Sequence, residues 1–374
     1  MIILSLSYAA TLYIDSNFLS LYFAPSMLDA LYLFGAAGSL MGLAIGASVI
    51  RRWSNFSWLT AILVAQAVAL LGLTQVTSPL WIAIFFVLHQ MLPPLALFSF
   101  DVILEQMIDT QTVTGSVRSL YLTASNIAFV LVPFFVGTIA EAYSYRAIYA
   151  VAGVLIIGVI LLVDGRFSGQ EPRRFRQISF TDSLRQIPAR RGLLDALGSD
   201  FLLQCFYALM TIFTPIYLHV FIGFDWQTIG LILAIMLLPF VIFEAPLGHL
   251  FDRFRIERDT LMTGFIIMTG ACIVMFLTQS HNWEVWALWL FISRIGASFV
   301  EIGSEYSFFR RVNDSDAGFI SVFHATSPLS YVVAPLALAA LGSFPAQSPF
   351  AAMAVVTFVG IFVAYKLPPR PRRV

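Results

Sequence analysis

Apolar residues in this chain come in long runs separated by short polar gaps. Twelve such runs can be read, at about 2–22, 29–50, 58–76, 80–102, 119–140, 146–163, 196–221, 227–251, 260–279, 284–306, 318–341 and 349–366. A helix rising ~1.5 Å per residue needs about 20 residues to cross ~30 Å of hydrocarbon, and each run is close to or above that length. Helices are required because backbone groups in lipid need partners within the segment. The unbroken runs also lack the alternation of barrel strands. The pattern predicts an all-α polytopic membrane protein with twelve transmembrane helices. Composition agrees, with 59% hydrophobic and 11% charged residues over 374 positions. Ile2 opens the first run with no basic stretch before it, so that run reads as a span rather than a signal peptide.

The gaps carry the charge, and they carry it on one side. Taking the connectors in order, Arg51 and Arg52, Arg118, the long central segment, Arg253 with Arg255 and Arg258, Arg310 with Arg311, and the tail from Lys366 to Arg373 all fall on the same face. The central segment alone holds Arg166, Arg173, Arg174, Arg176, Arg185, Arg190 and Arg191. Nineteen of 21 basic residues thus share a side, with Arg146 opposite and Arg294 inside a span. By the positive-inside rule that side is the cytoplasm and both termini lie there, which predicts a plasma or inner membrane protein. A net charge of zero hides this polarity.

The spans divide into two sets of six. Residues 1–163 form an N-terminal bundle, 164–192 a polar, arginine-rich cytoplasmic linker, and 193–374 a C-terminal bundle with a cytoplasmic tail. Within the linker, Phe180, Leu184 and Ile187 recur at helical spacing and suit a short helix on the inner leaflet; a disordered tether stays equally open. A shift of 202 places Gly46 on Gly248, Arg51 on Arg253 and Pro133 on Pro335. A shift of 205 places Trp81 on Trp286, His89 on Arg294 and Asp109 on Asp314. Repeated halves of this kind occur in transporters.

Between spans eight and nine the chain reads Gly248-His249-Leu250-Phe251-Asp252-Arg253, followed by Arg255 and Arg258. With six plus six spans and a basic central loop, this G-x-L-x-D-R segment resembles the major facilitator superfamily. The resemblance implies alternating access to a central site between two six-helix bundles. It also implies a gating role for Gly248, Asp252, Arg253 and Arg258, whose charge-assisted contacts would hold the cytoplasmic side closed; ordinary positive-inside anchoring is the plainer alternative. The chain departs from the family pattern where Arg255 replaces a second glycine. It departs further in the first half, where Ile50 stands in the acid's place and only Gly46, Arg51 and Arg52 remain. Span two carries Gly35, Gly38, Gly42 and Gly46, a small-residue face that permits close backbone approach. The family likeness sets this face against span eleven, rich in alanine at Ala334, Ala337, Ala339 and Ala340. In span five, Pro133 and Gly137 recur in an antiporter signature that has lost the glycine before its proline.

Ionisable groups inside spans are the candidate working parts, since each costs ~2.5–3.5 kcal/mol near the membrane centre unless paired or hydrated. Asp15 sits past the middle of span one, with Tyr8, Thr11 and Tyr22 near its face. A carboxylate isolated in apolar surroundings favours its protonated form, which suits a carrier that takes up and releases protons; pairing to Arg294 or to tyrosine hydroxyls for packing is the alternative. In span ten, Arg294, Ser298, Glu301 and Glu305 form one stripe, a candidate cavity lining in which Arg294 binds an anionic group or a carboxylate; a structural Arg294 to Glu301 pair is equally open. His89 takes the place of the family's arginine in span four. Span seven offers Asp200, Gln204, Tyr207, Thr211 and Thr214 on one face. Asn126 and His324 could bind or simply pack, and Glu244 is placed with the cytoplasmic gate. Trp283, Trp286 and Trp289 fit a membrane belt.

Several classes are excluded. The only lysine is Lys366, so no P-loop exists, and no H-E-x-x-H, G-x-S-x-G or dinucleotide fingerprint occurs. Cys205 and Cys272 lie within spans and imply neither disulfide nor metal. The Asn55 and Asn313 glycosylation triplets lie in loops expected to be cytoplasmic. The dispersed arginines suit anionic lipid rather than nucleic acid. The expectation is a monomeric secondary active transporter without cofactor, acting on a small-molecule substrate, coupled to protons through Asp15 and Glu301. An uncoupled facilitator of the same fold and a non-transporting receptor or scaffold are the other readings.

Overall fold

The computed structural model describes residues 1–107, 114–167, 179–254, 256–312, 317–340 and 348–368. Asp109, Arg173, Arg174, Arg176, Arg255, Asn313, Asp314, Arg370, Arg372 and Arg373 lie outside the described residues. The chain is all-α, with no strand among the described residues. Its helices are α1 (Ile2–Leu12), α2 (Asp15–Ser20), α3 (Pro25–Trp53), α4 (Asn55–Gln75), α5 (Pro79–Met107), α6 (Thr114–Leu131), α7 (Pro133–Ala142) and α8 (Tyr145–Phe167), then the linker helix α9 (Phe180–Gln186). They continue with α10 (Arg191–Ile216), α11 (Trp226–Phe254), α12 (Glu257–Leu277), α13 (Trp283–Phe309), α14 (Ala317–Ala340) and α15 (Ser348–Lys366).

Among the described residues, eleven segments are long and apolar enough to cross a membrane. The remaining expected span, the fifth, is α6 and α7, which meet at Pro133. Proline has no N–H and crowds the preceding turn, so the helix is interrupted there, although Val132 keeps helical angles (φ −58°, ψ −42°). Span one is likewise two pieces, broken at Tyr13 and Ile14 just before Asp15. Span seven loosens after Pro215 into a π-helical turn over Tyr217–Ile222 that ends at Gly223, φ +87°. Asp225 then starts α11, accepting the Thr228 N–H at 2.8 Å and its hydroxyl at 3.0 Å. These bonds hold the Asp225 carboxyl below its usual range. In the linker, α9 and a 3₁₀ turn at Ile187–Ala189 form; Ile187 is buried while Leu184 is exposed.

The chain falls into two compact units that do not follow the sequence halves. One comprises the described residues of Met1–Met107, Ile127–Leu184 and Asn313–Pro328. In it the glycine face of α3 packs on α5, since a Cβ on Gly35, Gly38 or Gly42 would meet Gln90, Met91 or Leu95. That face is therefore packed against α5 of its own half. Ser39 Oγ adds a bond to the Met91 carbonyl at 3.1 Å, and Ser7 Oγ ties α1 to Ala152 of α8 at 3.0 Å.

The other unit comprises the described residues of Ile108–Asn126, Arg185–Val312 and Leu329–Val374. There α12 and α13 touch at Gly264 and Gly296, each lying against the other's carbonyl. Thr269 and Thr357 join α12 to α15 at 2.9 Å. Trp286 is fully buried, donates to the Ser280 carbonyl at 2.8 Å and packs on Tyr217 and Phe350. It is a core residue, not part of the expected belt.

Candidate functional site

Three constellations hold the residues of interest. In the first unit, Asp15 is buried (1% exposed) where span one breaks. Its Oδ1 accepts from the Tyr149 hydroxyl at 2.7 Å and its Oδ2 from Gln90 Nε2 at 2.7 Å. Gln66 Nε2 donates to His89 Nδ1 at 2.7 Å, which leaves the ring proton on Nε2, facing Asp15 Oδ2 at 3.6 Å. Neither arginine nor lysine pairs with Asp15 among the described residues. The carboxylate is therefore held by two neutral donors, with the His89 ring close by but not bonded to it. Tyr22 does not join it. The Tyr22 hydroxyl accepts from Arg146, which also bonds the Val76 carbonyl at the end of α4.

In the second unit, α13 presents the expected stripe. Arg294, near the helix middle, is 3% exposed. Its guanidinium carbon lies 5.3, 5.0 and 6.0 Å from the ring centres of Phe206, Tyr207 and Phe240. It makes no ion pair with Glu301, and its Nε is buried without a hydrogen-bond partner. Glu301 instead accepts from the Tyr207 hydroxyl at 2.6 Å. Glu305 faces Arg118 at 3.7 Å. Arg118 is fully buried with its guanidinium carbon 3.1 Å from the Phe309 ring centre, so it is not the surface anchor that its place in the sequence suggested. Glu244 is also buried and accepts from Asn126 Nδ2 at 2.9 Å; it lies within electrostatic reach of Glu301 and Glu305, which groups it with the acids of α13 as much as with Asp252. Gln204 is half-buried and makes no hydrogen bond among the described residues.

The third constellation is built on the Gly248 to Arg253 segment at the end of α11. Asp252 does not bridge to an arginine among the described residues. Its Oδ1 accepts the Gly115 N–H at 2.9 Å, and its Oδ2 accepts the Ser116 N–H at 2.8 Å and the Ser116 hydroxyl at 2.6 Å. Those N–H groups belong to the first turn of α6, where they have no partner within the helix and carry its positive dipole end; the carboxylate supplies both hydrogen bonds and opposite charge. Gly248 makes this possible, because a Cβ there would overlap Ser119 and the Gly115 carbonyl. Leu122, Leu247, Phe251, Ile302 and Tyr306 seal the contact with a buried apolar cluster. Arg253 is exposed, lying beside Phe254, and Arg258 pairs with its neighbour Asp259 at 3.5 Å.

The first unit has a corresponding contact of different chemistry. Ile50 is buried where the acid would stand, and Ser321 of α14 donates to the Leu43 carbonyl. His324 Nε2 lies 2.7 Å from Asp101 Oδ2.

Sequence reasoning missed Gln66, Gln90 and Tyr149 around Asp15, Ser116 beneath Asp252, Asp101 beside His324, and the rings around Arg294. The amides at 66 and 90 stand out in apolar runs and could have been found; nothing separates Tyr149, Phe206 or Phe240 from ordinary apolar positions.

Residues 201–374 match the family model described as the Major Facilitator Superfamily. No match to a curated protein is found. Two solved structures share the fold over nearly the whole chain. A bacterial homologue of the iron transporter ferroportin, in an outward-facing state, aligns with TM-score 0.77 and 13% identity over 99% of this chain and 97% of that one. The human organic anion transporter MFSD10 (TETRAN) aligns with TM-score 0.74 and 12% identity over 97% and 96%.

Proposed function

We propose that this chain, whose residues 201–374 match the Major Facilitator Superfamily model and whose fold is shared along nearly its whole length with two transporters, is a secondary active transporter coupled to protons through Asp15. The observation that carries this reading is the setting of Asp15, a buried carboxylate that accepts from Tyr149 and Gln90, with His89 Nε2 3.6 Å away. Gaining or losing one proton changes the net charge of this group while both hydroxyl and amide contacts can persist. A site that alternates between the two sides of the membrane with that change carries a proton in each cycle. Glu301, bonded by Tyr207, is the second candidate carrier.

Asp252 on the α6 terminus is the proposed gate contact. It joins a charge to a helix end, so it is made or lost as a unit when α6 moves, and Gly248 gives α6 room to seat. The cation distribution supports cytoplasmic termini in a plasma or inner membrane. The chain is proposed to act as a monomer with its arginines on anionic lipid. Of the cargoes named for the two structures of like fold, an anion is the one for which this chain offers a partner, in Arg294. No three His, Cys, Asp or Glu side chains converge among the described residues as an iron ion would ask.

An uncoupled facilitator is the second reading, favoured by the fact that Tyr149 and Gln90 would satisfy Asp15 even if it never titrated. Purified protein in sealed vesicles, tested with a panel of labelled solutes, separates the two. Under proton coupling, an imposed pH gradient drives accumulation by the wild type, whereas Asp15→Asn only equilibrates the solute. If Asp15→Asn accumulates solute like the wild type, Asp15 is not the coupling group. If no solute of the panel enters at all, the transport reading fails.

A further inference from the structure

We propose that Arg294 is the receptor for the transported solute's charged end, and that the solute is a monoanion, a carboxylate or similar oxyanion, on a flat aromatic or apolar body. This rests on the transport reading above and names its substrate class. A guanidinium at mid-span without an ion pair is expensive, since removing an ion from water costs several kcal/mol even after relaxation. The three rings on α10 and α11 offset part of that through cation–π contacts. They accept no conventional hydrogen bond. The planar fork has five N–H donors, and Nε is buried without a partner. The carboxylate closest along the same helix face, Glu301, is held by Tyr207. The arrangement is a cation left with its donors unspent, and a bidentate oxyanion is the group that fits it.

The surroundings narrow the class further. Phe206, Tyr207 and Phe240 present ring surface next to the charge, suited to stacking against a flat body rather than to hydrating a small inorganic ion. One guanidinium lies against these rings, so one ligand charge is matched. A monoanion meets one cation. The place of Arg294 near the middle of α13 separates it from lipid headgroups, which share the oxyanion chemistry but sit at the surface.

The test is binding to the purified full-length protein in neutral detergent, read by thermal shift and calorimetry, with benzoate as probe. Benzamide has the same ring without the charge, acetate has the charge without the ring, inorganic phosphate carries more charge, and phosphatidylglycerol represents the headgroup source. Benzoate is expected to stabilise the wild type in a dose-dependent way and to bind at least tenfold more tightly than benzamide, acetate or phosphate. Arg294→Gln should weaken benzoate at least tenfold, Arg294→Lys less, and Phe240→Leu several-fold for benzoate with little change for acetate. Equal binding of benzoate and benzamide to the wild type overturns the proposal without any variant, so a poorly folded mutant cannot shield it. It is also overturned if Arg294→Gln binds benzoate like the wild type, or if phosphatidylglycerol alone gives an Arg294-dependent response. If no anion binds while the flux panel shows a neutral or cationic solute moving, this proposal falls and the transport reading stands.

Discussion

The contacts at the ends of α6 and α14 make an instructive pair. Ser116 and Ser321 are 205 residues apart, the same offset that superposes Trp81 on Trp286. Ser116 is the third residue of α6 and Ser321 the fifth of α14, and each ties its helix to a neighbour, but by different chemistry. Ser116 and the N–H groups beside it meet the carboxylate of Asp252, with Gly248 cleared of side chain to let α6 seat. Ser321 meets only the Leu43 carbonyl, because Ile50 stands where an acid would be, and a separate Asp101 to His324 contact carries the charge. The comparison teaches that the motif's acid acts through a helix end. Where Ile50 replaces the acid, the contacts of α14 at Ser321 and His324 lie farther along the helix.

The largest effect is expected from Gly248→Val. Its side chain would occupy the place of Ser119 and the Gly115 carbonyl, at a cost of about 1–3 kcal/mol for overpacking, and transport should be lost. A cysteine at Leu122, now buried against Leu247 and Phe251, should become open to maleimide in that variant. Asp252→Ala follows. It removes a charged cap of about 1–2 kcal/mol, so labelling at Leu122→Cys should rise about tenfold, while Asp252→Asn, which keeps an acceptor and loses the charge, should give roughly half that free-energy change. In the first unit, His324→Ala should cost about 1 kcal/mol, read as a several-fold faster labelling of Val322→Cys. Ser321→Ala should be the mildest, about 0.5–1 kcal/mol. If Ser321→Ala loosened its contact as much as Asp252→Ala loosens the other, the distinction between the two contacts would collapse.

The fold was legible because its cause is local. Run length and cation placement follow from what hydrocarbon tolerates, and they need no knowledge of neighbours. Breaks within spans were less so. Pro133 interrupts a helix that composition reads as continuous, and span one breaks at Tyr13 and Ile14 with no proline or glycine to signal it. Charge inside a span singled out Asp15, Arg294 and Glu301 as candidates, since burying them needs a reason. Their partners were hidden because they come from other helices. Glu301 lay at helical spacing from Arg294 yet bonds Tyr207, and Asp252 stood among arginines yet bonds backbone N–H groups. Sequence proximity of opposite charges suggested pairs, while packing assigned each acid to a donor brought in by another helix. Trp286 shows the same limit, since a tryptophan near a span end is a belt residue or a core residue according to the helix face it occupies.

The central claim is that transport moves a proton through Asp15, and it is tested most directly by recording the luminal pH of sealed vesicles with a trapped dye. p-Aminohippurate, an aryl monoanion that crosses lipid poorly, is added outside with no initial pH gradient. The account predicts a luminal pH change with the wild type that scales with solute entry, and entry without that pH change with Asp15→Asn. Solute entry into wild-type vesicles at constant luminal pH would contradict it.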